Sequence, residues 1–100
     1  MNKTVEKIKR VLKNHKKNFC ARYGIKEVGL FGSFARGEQK KNSDIDILVE
    51  FKPHARISLL GFIELENRLS DLLRAKVDLV EKSALKPRIG RHILREVIYL

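Results

Sequence analysis

The chain has 100 residues, of which 43% are hydrophobic and 34% are charged, a composition typical of a folded globular protein. This length suits one domain spanning residues 1–100. No segment approaches the run of about 18 apolar residues that a membrane span needs, and the N-terminus is basic where a signal peptide would be apolar. We therefore expect a cytoplasmic protein. The single cysteine, Cys20, excludes an internal disulfide and a cysteine-based metal site.

Basic residues are in large excess over acidic residues. Lys and Arg number 22 against 12 Asp and Glu, which gives a formal net charge of +10. Such a charge attracts polyanions, including nucleic acid, a nucleoside triphosphate or an acidic protein. The charges of the first predicted helix have no aromatic residues interleaved with them, so we interpret that helix as having a solvated face, with RNA binding as the alternative. We also interpret the basic cluster on the last predicted helix as solvated surface, with contact to nucleic acid or to an acidic partner as the alternative.

The first elements in chain order are a helix, a strand and a turn. The helix covers about residues 4–22, with Thr4 as its N-cap and Gly24 as its C-terminal stop. Residues 26–31 favour a short strand that ends in a turn. A single helical turn is expected to begin at Ser33.

A strand, a long helix, a strand and a final helix follow. Residues 44–51 alternate with period two, which places Ile45 and Ile47 on one face and two aspartates on the other. Ser58 opens an amphipathic helix that reaches about residue 74. Its apolar residues are all assigned to the core: Leu59, Leu60, Phe62, Ile63, Leu65, Leu69, Leu72 and Leu73.

The last two elements are a third strand at residues 76–81, which carries Asp78, and a helix that Pro87 helps to start. The apolar side of that helix is expected to be buried: Ile89, Ile93, Leu94, Val97 and Ile98. The elements together predict an α+β fold, with features of a mixed α/β arrangement, in which helices cover a small three-stranded sheet.

Asp44 and Asp46 are unusual because strands normally lack isolated carboxylates. Two residues apart on a strand, they share a face with their Cβ atoms about 6.5 to 7 Å apart. At an effective dielectric constant of 20, two unit charges at this distance repel by roughly 2.4 kcal/mol. A divalent cation relieves that repulsion, and a pair of carboxylates suits Mg²⁺ or Mn²⁺ better than zinc.

The turn after the first strand offers a second half of a site. Gly32 has no side chain, so a phosphate can approach its backbone, and Ser33 adds a hydroxyl and helix-start amides. Together with the aspartates, this turn predicts a site for a metal-bound triphosphate. Arg36 would either add a cation near the phosphates or lie in solvent, where it could pair with Glu38.

These residues resemble a known family. The stretch GLFGSFARGEQKKNSDIDILVEF, residues 29–51, is similar to the signature of the minimal nucleotidyltransferases, which belong to the DNA polymerase β-like nucleotidyltransferase superfamily. In that signature, an apolar residue, Gly-Ser and a spacer of about ten residues precede Asp-x-Asp. The resemblance extends over almost the full chain. It implies the nucleotidyltransferase fold and a third carboxylate on a later strand, for which Asp78 is the candidate.

The resemblance also implies an activity and assigns roles to residues. Asp44 and Asp46 would hold two Mg²⁺ ions, Asp78 would complete the site of the ion nearer the acceptor hydroxyl, and Gly32 and Ser33 would bind the triphosphate. The reaction would transfer a nucleotide, with AMP from ATP as the first choice, to a hydroxyl of a partner macromolecule. Many minimal nucleotidyltransferases are encoded beside a HEPN-domain ribonuclease, and in such toxin–antitoxin pairs the transferase neutralises the toxin by adding AMP to a tyrosine.

Two alternatives remain open. The chain would instead be an antitoxin that neutralises a HEPN partner by binding alone, or an RNA-binding module that depends on the net positive charge. A chain of this size is expected to need a second subunit or a partner protein to complete its site, so a homo-oligomer is also open. The identity of the base and of the acceptor does not follow from the sequence.

Overall fold

The structure is a computed structural model that describes residues 5–40 and 42–100. The predicted N-cap Thr4 lies outside these residues. The elements follow in the order α1 (Val5–Tyr23), β1 (Ile25–Phe31), α2 (Ser33–Arg36), β2 (Ile45–Phe51), α3 (Leu59–Leu73), β3 (Val77–Glu81), a 3₁₀ turn (Lys82–Ala84), α4 (Pro87–Glu96) and β4 (Ile98–Tyr99). Within the described residues, no helix is both long enough and apolar enough to cross a membrane.

The four strands form one mixed sheet in the order β3-β2-β1-β4. β1 pairs antiparallel with β2 and with β4, whereas β2 pairs parallel with β3 through the crossover helix α3. The predicted α+β class, with helices covering a mixed sheet, is confirmed. The predicted number of three strands is wrong, because a two-residue strand at the end of the chain adds β4.

The prediction that Val97 and Ile98 belong to the last helix is also wrong. α4 ends at Glu96, and Ile98 pairs with Leu30 on the free edge of β1. β-branched side chains favour extended backbone, and an uncovered strand edge offers unpaired N–H and C=O groups. Both effects favour a strand here, and the Leu100 N–H extends the pairing by donating to the Val28 carbonyl over 3.0 Å.

Helices α1 and α3 cover one face of the sheet. Their inward side chains pack on alternate residues of the central strands, and this cluster includes Ile8, Leu12, Val28, Leu30, Ile45, Ile47, Val49, Leu65, Leu69 and Leu73. The predicted C-terminal stop of α1 and the predicted N-cap of α3 are confirmed. Gly24 follows α1 with a φ of 69°, and the Ser58 hydroxyl caps α3 by accepting the Gly61 N–H over 3.0 Å.

The apolar surface of α3 and α4 is less buried than the sequence predicts. In α3, Leu60 is 79% exposed and Leu59 is 75% exposed, while Leu65 is fully buried. At 100° per residue, Leu60 points away from the stripe that faces the sheet. In α4, Ile89 and Leu94 are exposed, and Gly90 is buried. Helical periodicity finds apolar residues but does not tell which of them a neighbour covers. The prediction that they are buried is therefore wrong for the exposed ones: Leu59, Leu60, Ile63, Ile89 and Leu94.

This difference predicts contrasting effects of two leucine truncations in the same helix. Leu65→Ala should lower the free energy of unfolding by about 2 to 5 kcal/mol, because it removes fully buried methyl groups and leaves a cavity. Leu60→Ala should change it by less than about 0.5 kcal/mol. Urea denaturation of both variants measures the difference, and equal losses would show that Leu60 is also packed.

Candidate active site

Two of the predicted carboxylates lie side by side on neighbouring strands. Asp46 on β2 is the register partner of Asp78 on β3 and also of Phe31, the last residue of β1. Paired strands are about 4.8 Å apart, so the two aspartates are direct neighbours across the sheet. Their alternation with the buried Ile45 and Ile47 places them on the face away from α1 and α3. Asp78 is exposed and Asp46 is half-buried.

The electrostatics of this pair favour a bound cation. Burial raises the pKa of Asp46 above its ordinary value of 3.8, and the negative charges of Asp78 and Asp44 raise it further. The nearby Arg36 has the opposite effect. Neither Asp46 nor Asp78 forms a side-chain hydrogen bond or ion pair with any residue that the structure describes.

Asp44 is placed differently. It lies just before β2, and its carboxylate is 3.9 Å from the Lys76 ammonium in a largely exposed and therefore weak ion pair. In residues 5–40 and 42–100, no group of three His, Cys, Asp or Glu side chains is arranged to hold a metal ion. The structure thus brings Asp46 and Asp78 together and leaves Asp44 beside them with a basic neighbour.

The Gly-Ser turn packs directly against Asp46. Gly32 has φ 77° and ψ −152°, a backbone conformation that is open essentially to glycine alone. A Cβ atom at this position would overlap the Asp46 Oδ2 atom. Glycine is therefore required both by the backbone and by the close approach of the carboxylate.

Ser33 and Arg36 follow on α2, a single helical turn. The Ser33 side chain is partly exposed and makes no hydrogen bond to another described residue. Arg36 pairs with Glu38 through Nε at 3.3 Å. This ion pair is the second of the two alternatives that the sequence left open for Arg36. It also donates from Nη1 to both carboxylate oxygens of Glu96, at 3.1 and 3.0 Å.

Glu96 is the residue of this cluster that sequence reasoning missed. It is the last residue of α4, and its Oε1 atom accepts the Gly32 N–H over 3.2 Å. It also contributes to raising the pKa of Asp46. A single acidic residue at the end of a basic helix, 60 positions from Arg36, carries no local signal that would place it here.

The donor set fits a hard divalent cation. Asp46 and Asp78 supply only oxygen ligands, which suit Mg²⁺ or Mn²⁺. The repulsion between carboxylates that raises the pKa of Asp46 is the kind of charge conflict that a bound cation removes.

The raised pKa of Asp46 predicts a pH-dependent stability. The folded protein holds this proton more tightly than the unfolded chain, so the free energy of unfolding should fall as pH rises above 3.8 and level off above the folded-state pKa. Asp46→Asn should lack this decline and be at least as stable as wild type at neutral pH. Urea denaturation in metal-free buffer from about pH 3.5 to pH 7 measures it.

Asp71→Asn on α3 is a matched control, because it removes one exposed carboxylate on the other side of the sheet. A parallel pH profile for wild type and Asp46→Asn would contradict the assignment of the decline to Asp46.

Comparison with known proteins shows the family of the chain. The model of the nucleotidyltransferase domain family matches residues 12–100. The chain is 52% identical over 97 residues to protein adenylyltransferase MntA of Thermococcus cleftensis, covering 97% of this chain and 96% of that protein.

Solved structures are also similar. One protein assigned as a minimal nucleotidyltransferase is 37% identical with a TM-score of 0.74, and the match covers 93% of this chain and 95% of the other. A toxin–antitoxin structure with AMP-PNP is 25% identical with a TM-score of 0.71, covering 87% of this chain and 70% of the other. The chain belongs to the nucleotidyltransferase domain family and is a minimal nucleotidyltransferase.

Proposed function

We propose that this nucleotidyltransferase transfers AMP from ATP to a hydroxyl of a HEPN-domain protein and thereby acts as its antitoxin. The observation that carries the proposal is the contact between the Gly32 turn and the Asp46 carboxylate, with Asp78 adjacent to it. This contact puts a candidate phosphate-binding turn and two candidate metal ligands within one small region.

The residues are assigned distinct tasks. Asp46 and Asp78, with Asp44 beside them, would hold Mg²⁺ ions, and Gly32, Ser33 and Arg36 would bind the triphosphate. When bound, Mg²⁺ would lower the pKa of the acceptor hydroxyl and neutralise charge on the pyrophosphate. The acceptor oxygen bonds to the α-phosphorus, the bond from that phosphorus to the bridging oxygen breaks, pyrophosphate leaves and the hydroxyl proton is released.

The similar proteins support the nucleotide and the partner. The Thermococcus cleftensis relative is named a protein adenylyltransferase, and the toxin–antitoxin structure contains an ATP analogue. A structure with the same fold, at 21% identity, contains a tri-AMPylated HEPN toxin of Shewanella oneidensis in complex with an MNT antitoxin. In this chain, Asp78 and Asp44 are exposed, so an acceptor presented by a docked protein can approach the carboxylates.

Metal and nucleotide binding should stabilise the folded protein through Asp46. A ligand at about ten times its dissociation constant that binds only the native state adds about 1.4 kcal/mol, which corresponds to about 6 to 11 °C in Tm for a domain of this size. We expect such a shift with Mg²⁺ and α,β-methylene-ATP, whose α–β bridge cannot be cleaved. Asp46→Asn should abolish it. Differential scanning fluorimetry measures the shift in Tm for wild type and for Asp46→Asn, with Asp71→Asn as the charge-matched control.

The transfer reaction itself is tested by mass spectrometry. The chain is mixed with Mg²⁺, ATP and the protein encoded by the gene next to its own, and the neighbour is weighed intact and after digestion. We expect one or more added AMP groups, located on tyrosine. Asp44→Ala should reduce the modified fraction strongly, since it removes one of the three candidate metal ligands.

The same experiment separates catalysis from binding. A neighbour that stays unmodified, and is inhibited equally by wild type and Asp44→Ala in a stable complex, would favour neutralisation by binding alone.

A further inference from the structure

Glu96 occupies two donors of the proposed triphosphate site, the Gly32 N–H and the Arg36 guanidinium. Its Oε1 atom accepts the Gly32 N–H at 3.2 Å and an Arg36 Nη1 hydrogen at 3.1 Å, while Oε2 lies 3.0 Å from the same nitrogen. The carboxylate therefore binds the backbone of the turn and the guanidinium of α2 together. Its side chain is 25% exposed, so the contact is partly shielded from water.

A carboxylate and a phosphate compete for such donors. Both are anions that form short, charge-assisted hydrogen bonds to backbone N–H groups and guanidinium groups. The Gly32 N–H has one hydrogen, and Glu96 accepts it. A phosphate oxygen that binds at this N–H must displace the Glu96 carboxylate.

The charges around Arg36 also oppose the binding of a phosphate while Glu96 is in place. Arg36 carries one positive charge, and Glu38 and Glu96 each contribute one negative charge within hydrogen-bond distance of it. The guanidinium is thus more than neutralised before any nucleotide binds. Removing Glu96 from this group would leave Arg36 paired with Glu38 alone and would reduce the repulsion between this group and a triphosphate.

Helix α4, which ends in Glu96, buries little of its surface. Gly90 is the buried residue of α4, and the segment that follows is fixed to β1 by the two-residue strand β4. Side-chain rotation of Glu96, or a small shift of the last turn of α4, would release the contact without opening the core under α1 and α3.

We infer that Glu96 is an autoinhibitory carboxylate that occupies the phosphate position at Gly32 and Arg36 and is displaced when the triphosphate binds. The inference rests on the proposed function of these two residues. It differs from a positioning role, in which Glu96 would hold Arg36 ready for the phosphate. The two roles predict opposite changes in nucleotide affinity.

The test is calorimetric titration of Mg²⁺ and α,β-methylene-ATP into wild type, Glu96→Gln and Glu38→Gln. Glu96→Gln keeps the size of the side chain and removes its charge, so the dissociation constant should fall about tenfold, the effect of losing one charge-assisted competitor. Glu38→Gln removes an equal charge beside Arg36 but leaves the Gly32 contact, and it should change affinity less than about twofold.

A second measurement checks the contact in solution. In ¹H–¹⁵N NMR spectra, the Gly32 amide should shift on Glu96→Gln and on addition of the nucleotide to wild type, and it should stay nearly unchanged on Glu38→Gln. An unmoved Gly32 amide in Glu96→Gln would overturn the inference.

The remaining outcomes of the calorimetric titration also support or contradict the inference. Weaker nucleotide binding by Glu96→Gln would establish the positioning role instead, and equal gains in both variants would reduce the effect to net charge. If none of the three proteins binds the nucleotide, the proposed function fails and the inference fails with it. If wild type binds and Glu96→Gln binds identically, the inference alone fails.

Discussion

The close approach of the Asp46 carboxylate to the Gly32 backbone is the constraint on which the site depends. β1 and β2 pair antiparallel, with Phe31 opposite Asp46, so the turn that leaves β1 is placed over that carboxylate. A side chain at position 32 would collide with it, and the positive φ of the turn excludes most residues as well. The Gly32 turn and the carboxylate pair are therefore a single structural unit.

The charges of the chain are distributed unevenly around this unit. The whole chain carries a formal charge of +10, yet the charged groups that act on Asp46 are mostly acidic: Asp44, Asp78 and Glu96 against Arg36. The overall charge attracts a polyanionic nucleotide, while the local field repels its phosphates. For the proposed reaction, this combination would favour a nucleotide that arrives together with divalent cations over the free anion.

Local signals in the sequence were sufficient for part of this structure. Period-two alternation predicted that Asp46 and the buried Ile47 lie on different faces of β2. The residue types preferred at helix caps predicted that Gly24 and Ser58 lie at helix ends. Asp78 was predicted as a site residue only from the family resemblance. Its pairing with Asp46 depends on the parallel register of two strands separated by a helix, which local sequence signals do not show. β4 and the contact of Glu96 with Gly32 depend on tertiary packing between distant segments. The exposure of Leu60 likewise depends on which side of α3 finds a neighbour, which periodicity does not encode.

The parallel pairing of β2 with β3 has a consequence for the order in which the molecule forms and opens. β1 and β2 are close in the chain, whereas β3 joins them only after the segment containing α3 has folded back, a loop whose closure costs entropy before its contacts form. We expect the two aspartates to meet late in folding. β3 is also an edge strand, so its local opening would dismantle the carboxylate pair while β1, β2 and α1 stay folded. Hydrogen exchange of the β3 amides would then report the integrity of the site rather than that of the whole domain.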